Sequence, residues 1–157
     1  MPSFEQRQQV GDRHENRVAT ELSGRNWMVD PWGQAILSER VRRAVSRTRW
    51  KNFPDLVAAR DSDLVAIDAK ERMSSADTGR YAISRECVNF GIQFVAAFGV
   101  PIFYVFGNLG VLTPQEVMAY GSTGVRAMGG SYYLVDGRLA RQFDDVFGRP
   151  VNTNAAA

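Results

Sequence analysis

The stretch that decides the fold, residues 54–70, reads Pro-Asp-Leu-Val-Ala-Ala-Arg-Asp-Ser-Asp-Leu-Val-Ala-Ile-Asp-Ala-Lys. Two apolar runs of strand length flank a short Asp-Ser-Asp segment, which is typical of a tight turn because short polar side chains bond their own backbone. The stretch therefore predicts a β-hairpin. Three charged residues, Asp55, Asp68 and Lys70, interrupt these apolar runs. A charge in such a setting is unfavourable unless a partner compensates it.

The expected register brings the two carboxylates of the hairpin together. A two-residue turn between positions 60 and 63 places Asp55 opposite Asp68, and alternation along the strand puts Lys70 on the same face as Asp68. Opposed residues have Cβ atoms about 5 Å apart, so two carboxylates there repel each other. A divalent cation with hard oxygen ligands, Mg²⁺ or Mn²⁺, suits such a pair. A one-residue slip would turn Asp55 away, and a purely structural Asp–Lys pair is the alternative.

A third carboxylate comes from an upstream amphipathic segment. Residues 11–24 predict a helix with Asp12 as a candidate N-cap and Gly24 just past its end. Glu15 shares the apolar face of this helix with Leu22, and a glutamate on a core-facing stripe is either paired or a ligand. The single histidine, His14, lies about 100° around the helix and is expected to be exposed.

The order Gly11-x-x-x-Glu15, Pro54-Asp55 and Asp68-x-Lys70 resembles the PD-(D/E)XK nuclease superfamily, which includes restriction enzymes, Holliday junction resolvases and VRR-type nucleases. The resemblance covers roughly residues 11–106. It implies a restriction endonuclease-like α/β fold, an αβββαβ core with a mixed central sheet flanked by helices. It also implies catalytic roles for four residues. Asp55 and Asp68 would bind the metal, Lys70 would position or activate the attacking water, and Glu15 would be a further ligand, direct or through water.

A basic run precedes the hairpin. Residues 40–51 contain six basic residues and no acidic one. The chain has 19 basic and 17 acidic residues, so 13 basic residues face 17 acidic ones elsewhere. A basic patch beside a metal site is what a polyanionic backbone requires, although a solvated helix face is the alternative. We expect DNA phosphate contacts from Arg42, Arg43, Arg47, Arg49 and Lys51. Trp50 could stack on a base, but a place in the core is the favoured expectation.

The rest of the chain completes the predicted fold. Residues 73–79 predict a loop over the site, and residues 82–98 predict a helix with Cys87 on its buried stripe. Gln93 resembles the polar residue that supports the site on this helix in resolvase-type nucleases, with ordinary helix polarity as the alternative. Residues 100–106 predict a central strand, and residues 132–140 predict a C-terminal β-hairpin.

Composition limits the class of protein. A chain of 157 residues, 45% of them hydrophobic, predicts one domain over residues 1–150 and a disordered tail over 151–157. No signal peptide is evident, and no apolar run approaches the ~20 residues of a membrane span. The single cysteine excludes an internal disulfide and suits the cytoplasm. No zinc-type cluster or phosphate-binding loop is present, so no small-molecule cofactor is expected.

These features predict a metal-dependent DNA endonuclease that prefers branched or flapped DNA. A small chain without a base-reading domain draws selectivity most simply from DNA shape and backbone contacts. The resolvase resemblance also implies a homodimer that acts in DNA recombination or repair. The alternatives are a sequence-specific restriction-type nuclease, a non-catalytic DNA-binding module that retains the fold, and an RNA-directed enzyme on the same fold.

Overall fold

A computed structural model of the chain describes residues 4–71, 78–122 and 131–151, with residues 4–12 described as helical backbone only. The helices are α1 (Phe4–Ser23), α2 (Glu39–Val45), α3 (Arg85–Phe98), α4 (Pro114–Tyr120) and α5 (Phe143–Phe147). The strands are β1 (Met28–Pro31), β2 (Leu56–Arg60), β3 (Asp63–Lys70), β4 (Arg80–Ser84), β5 (Ile102–Phe106), β6 (Val111–Leu112) and β7 (Tyr132–Asp136).

In the described ranges the main sheet has five strands in the order β1-β2-β3-β5-β6. The β3–β5 pair is parallel and the other neighbours are antiparallel, so the sheet is mixed as predicted. The β2–β3 hairpin has the predicted register, with Arg60 opposite Asp63 and Leu56 opposite Ile67. Asp61 begins the two-residue turn at φ 54°, a left-handed conformation that aspartate tolerates.

The sheet lies between α1 on one face and α3 on the other. Along β3, Val65 and Ile67 pack in the α1-side core, whereas Ala66 packs in the α3-side core. Because side chains alternate along a strand, Asp68 and Lys70 continue the row of Ala66 towards α3. The α/β core with flanking helices is therefore confirmed, and it fixes the face from which the charged residues project.

The first helix differs from its predicted form. It begins at Phe4, so Asp12 lies inside the helix and is not its N-cap. Its buried stripe is His14, Val18 and Leu22, at a spacing of four residues. The expectation of an exposed His14 is wrong because its ring lies in this stripe, where Nε2–H donates to the carbonyl oxygen of Val105 at 2.9 Å.

The segment before α3 is also different from the prediction. Residues 80–84 form strand β4 rather than the first turn of the helix, and α3 begins at Arg85. The Ser84 hydroxyl caps α3 by accepting from the backbone N–H of Cys87 at 3.1 Å.

The predicted C-terminal β-hairpin is wrong. Strand β7 pairs with β4 in a separate two-stranded antiparallel sheet, among the described strands. Residues 137–139 then form a 3-10 turn, because the Asp136 carboxylate accepts from the backbone N–H of Arg138 at 3.0 Å. The 3-10 turn ends β7, and β7 pairs with β4 instead of with a following strand.

The C-terminal helix closes the α1-side core. Phe143 and Phe147 of α5 are buried there, and Trp27 Nε1–H donates to the carbonyl oxygen of Phe147 at 2.9 Å. Most of the predicted loop at 73–79, and the predicted tail apart from Val151, lie outside the described residues. Among the described helices, none is both long and apolar enough to cross a membrane.

Candidate active site

Asp55, Asp68 and Lys70 meet at the end of the β2–β3 hairpin. The backbone N–H of Asp55 donates to the carbonyl oxygen of Ile67 at 2.8 Å, which continues the ladder one step beyond Leu56. An Asp55 carboxylate oxygen accepts from the backbone N–H of Ala69 at 2.8 Å. Lys70 Nζ lies 3.1 Å from Asp68 Oδ2, with side chains 17% and 8% exposed respectively. The hairpin thus holds two carboxylates and one ammonium in a largely buried group.

Negative charge is in excess at this point. Burial raises the pKa of Asp55 well above its ordinary value, and the charges of Asp68 and then Glu15 raise it further. Lys70 and the Ala69 N–H act in the opposite direction without overcoming these effects. The negative charge of Glu15, on α1, therefore also acts on Asp55. The two hairpin carboxylates, Asp55 and Asp68, therefore share Lys70, and this group of three residues is short of positive charge.

Lys70 is held in its charged form. Burial opposes the ammonium charge and is the largest single effect, but the attractions of Asp68 and the neighbouring groups, Asp55 among them, together outweigh it, so the pKa of Lys70 is raised. A raised pKa is opposite to what a general base requires. The environment therefore favours Lys70 as a fixed cation that stabilises negative charge.

Cys87 belongs to this group, although the sequence placed it only on the buried stripe of the helix. Its Sγ lies 3.3 Å from Lys70 Nζ and 3.5 Å from Asp68 Oδ2. Burial, and then the charge of Asp68, raise the pKa of the Cys87 thiol to about 11, so the thiol is neutral. The sequence signal was the cap spacing Ser84-x-x-Cys87, which sets the thiol in the first turn of α3.

His14 connects α1 to the residue after Lys70. Its Nδ1 lies 3.4 Å from Glu71 Oε2, at a distance suited to an ion pair if the ring is protonated. The same nitrogen makes no hydrogen bond within the described residues. The Nε2–H bond to Val105 alone accounts for the orientation of the ring, so we assign no role to the approach of Nδ1 to Glu71.

The donor chemistry fits a divalent cation. Within the described ranges, no three or more His, Cys, Asp or Glu side chains converge as a ready-made metal site. Mg²⁺ does not require one, because it is commonly bound through one or two carboxylates and completes its shell with water and phosphate oxygens. Asp55 and Asp68 supply such a pair.

The five predicted DNA-binding residues divide into two groups. Three are engaged by the protein itself. Arg42 donates to the carbonyl oxygens of Gln34 and Leu37 at 3.1 and 3.3 Å, so it holds the preceding turn. Arg43 pairs with Glu39 at 2.7 Å, and Lys51 pairs with Glu86 at 3.3 Å.

Arg47 and Arg49 are exposed and available to a ligand. Arg47 has no ion pair in the described part of the chain, and the Arg49 guanidinium lies 5.2 Å from the ring centroid of Trp50. Trp50 is 47% exposed, so the favoured expectation that it belongs to the core is wrong. Gln93 is exposed on α3 and has no hydrogen bond to the site residues among those described.

A cleft of about 670 Å³ opens beside Lys70. Its walls come from the segment before the hairpin, the first turn of α3 and strand β7, and they include Lys51, Arg85, Cys87 and Tyr132. Arg85 and Tyr132 were not among the predicted residues, because β4 and β7 pair across a long separation in sequence. The cleft leads to Lys70 between the basic side chains of Lys51 and Arg85, which suits a polyanionic ligand.

The α/β fold is restriction endonuclease-like, and two solved structures of nucleases share it. Hjc, a Holliday junction resolvase from the archaeal hyperthermophile Archaeoglobus fulgidus, is similar with a TM-score of 0.58 and 15% identity, over 90% of this chain and 98% of the resolvase. A nuclease from a fusselovirus is similar with a TM-score of 0.51 and 12% identity, over 94% of this chain and 92% of that one. No family model and no curated protein matches the sequence. Identities this low show a shared fold and do not carry the activity across.

Proposed function

We propose that the protein is a metal-dependent DNA endonuclease that hydrolyses phosphodiester bonds. The observation that carries the proposal is the buried group of Asp55, Asp68 and Lys70 at the end of the hairpin, short of positive charge and beside an open cleft. Two solved structures with this fold are a Holliday junction resolvase and a viral nuclease, which supports the same reading.

The residues have distinct roles in this proposal. When bound, Mg²⁺ or Mn²⁺ supplies an activated water and polarises a phosphate oxygen. Asp55 and Asp68 would hold the ion, and the Ala69 N–H orients the Asp55 carboxylate at 2.8 Å. Lys70 would stabilise the negative charge that develops on the phosphate. Cys87 would keep the ammonium in place through its 3.3 Å contact.

DNA is the proposed substrate because exposed basic side chains lie at the cleft wall and in the segment that leads to the hairpin. Arg47 and Arg49 precede the hairpin, and Arg85 lies at the cleft wall. Selectivity for branched or flapped DNA would come from the shape of the backbone. A homodimer is part of the same proposal, since two copies related by a two-fold axis would match a symmetric four-way junction.

A second candidate is a DNA-binding module without catalysis. It is favoured by one observation: the Asp68 carboxylate is already paired with Lys70 at 3.1 Å. In that case the buried charges serve the fold alone, and neither Mg²⁺ nor Mn²⁺ should affect DNA binding.

The test is cleavage of a labelled panel in Mg²⁺ or Mn²⁺: four-way junction, flap, nicked duplex, plain duplex and single strand. The wild type should cut, with the junction or flap preferred, and Asp55→Asn and Lys70→Met should not. Asp63→Asn is the matched control, because it removes an exposed carboxylate at the other end of the same hairpin. Binding without cutting, unchanged by metal or by Asp55→Asn, would favour the binding module. Equal cutting of every duplex would contradict the branched-DNA preference.

A further inference from the structure

An apolar groove lies beside the basic run of residues 40–51, which supplies two of its lining residues, Val45 and Trp50. It encloses about 240 Å³ and is lined chiefly by Trp32, Ile36, Leu37, Val45, Trp50 and Phe53. Ile36 is 62% exposed, and Trp50 leaves about half of its surface to solvent. Exposed apolar side chains grouped in a concave surface are typical of binding sites, whereas single ones need no explanation.

The floor of the groove is firmly built. The rings of Trp32 and Phe53 pack edge to face at 4.7 Å, and both pack against Phe94 of α3 at 6.0 and 5.6 Å. The Trp50 ring meets Phe90 of α3 at 5.7 Å and forms a side wall. The aromatic surfaces are therefore positioned by the core before any ligand arrives, which lowers the entropic cost of binding.

The groove is attached to the candidate active site. The backbone N–H of Trp32 donates to the carbonyl oxygen of Asp55 at 2.8 Å. Gly33, at φ 57°, approaches so closely that a Cβ there would lie 2.5 Å from the carbonyl oxygen of Pro54. Gln34 Nε2–H donates to the carbonyl oxygen of Lys51, whose side chain lines the cleft beside Lys70. These contacts fix the groove beside the backbone of Pro54 and Asp55, next to the candidate active site.

The charge around the groove points to a nucleic acid. Residues 39–51 carry six basic residues and one acidic residue, and within the described chain Arg40 and Arg47 have no ion pair. A second copy of the chain docked here would bring two such segments together, and they would repel each other. A DNA strand instead supplies phosphates for the arginines and a flat apolar base for the aromatic groove.

We propose that this groove binds one unpaired nucleobase of the DNA substrate. The inference rests on the proposed nuclease function and narrows its substrate class. A paired base cannot leave its stack without an energetic cost, so the groove selects DNA that already presents an unpaired nucleotide next to the scissile phosphate. Flaps and loops satisfy this requirement, whereas a fully paired duplex does not.

The test measures DNA affinity in EDTA, where no cutting occurs, by fluorescence anisotropy. Three labelled probes are compared: a flap, the same flap with abasic residues in its unpaired strand, and a plain duplex. Trp50→Ala should weaken binding of the intact flap about ten-fold and leave the other two nearly unchanged. Trp50→Phe should retain most of the affinity, and Ile36→Ser, which alters an exposed wall without touching the core, should reproduce part of the loss. Tyr120→Ala, an exposed aromatic on α4, is the matched control.

Three results would overturn the inference. Trp50→Ala could weaken all three probes equally, or the wild type could bind intact and abasic flaps alike. Trp50→Ala could instead leave DNA binding unchanged and alter only the molecular mass of the protein in solution, measured by light scattering. The groove would then be an interface between two copies of the chain. The proposed nuclease function can fail independently of the groove. Base-dependent flap binding without cleavage in Mg²⁺ would support base binding in the groove and contradict the nuclease function. A wild type that binds no DNA would contradict both proposals.

Discussion

Replacing Lys70 with methionine should destabilise the metal-free protein by about 3–5 kcal/mol. Lys70 Nζ lies 3.1 Å from Asp68 Oδ2, and both side chains are mostly buried. Removing one partner of a buried pair leaves the other charge without compensation, and losses of about this size follow. Methionine retains most of the apolar stem, so a cavity contributes little. At about 2–4 °C per kcal/mol, the melting temperature should fall by roughly 6–20 °C.

Urea unfolding at neutral pH in EDTA measures the effect. The double variant Asp68→Asn/Lys70→Met should recover much of the lost stability, because it also removes the stranded carboxylate. Mg²⁺ should stabilise the single variant more than the wild type, since the ion then supplies the missing positive charge. Lys51→Met is the matched control: its pair with Glu86 at 3.3 Å is about half exposed, and such pairs contribute only about 0–1 kcal/mol.

A Lys70→Met protein within about 1 kcal/mol of the wild type would refute this reasoning. The Lys70–Asp68 contact would then contribute no more than a surface pair. A large loss that the double variant does not recover would show that the lysine supports the fold through its packing rather than through its charge.

Three further predictions concern the surroundings of the same group. Without metal, the free energy of unfolding of the wild type should fall as pH rises from the ordinary carboxyl pKa near 3.8 through the raised pKa of Asp55, because the folded state retains a proton that the unfolded chain has lost. Asp55→Asn should flatten this fall when urea unfolding is measured across pH. Parallel pH profiles for the two proteins would contradict the prediction. His14→Ala should cost about 2–4 kcal/mol in chemical denaturation, because it leaves a cavity and a β5 carbonyl without its donor, while the exposed Arg13→Ala should cost little. Cys87→Val should slow DNA cleavage several-fold at an unchanged melting temperature, because it removes the sulfur that contacts Lys70. Cys87→Ser should retain the wild-type rate. Equal cleavage rates for the two variants would exclude a positioning role for Cys87.

The hairpin and its charged residues were predictable because the information is local. Leu56, Ala58, Val65 and Ile67 share one core, which excludes a one-residue slip of the hairpin. The short polar Asp-Ser segment then selects the two-residue turn, and this register sets Asp55 beside Asp68. The mixed sheet and its flanking helices were implied by the resemblance of the motif order to the PD-(D/E)XK nuclease superfamily.

The parts that sequence reasoning missed depend on distant partners. Strand β4 pairs with β7, more than forty residues away, so no neighbouring segment of the sequence reveals its partner. Arg42 resembles a DNA contact in sequence, yet two carbonyl oxygens of the neighbouring turn accept from it. The burial of His14 could not be predicted locally, because it depends on a helix that begins at Phe4 and on a carbonyl group that β5 presents to that helix.

The central claim is that the buried carboxylates exist to hold a divalent cation, and Mn²⁺ binding measured by isothermal titration calorimetry tests it most directly. Wild type, Asp55→Asn, Asp68→Asn and the control Asp63→Asn would be titrated at neutral pH without DNA. We expect saturable binding by the wild type and the control, and loss of that binding in Asp55→Asn and Asp68→Asn. Equal binding by all four proteins, or no binding by the wild type, would contradict the claim.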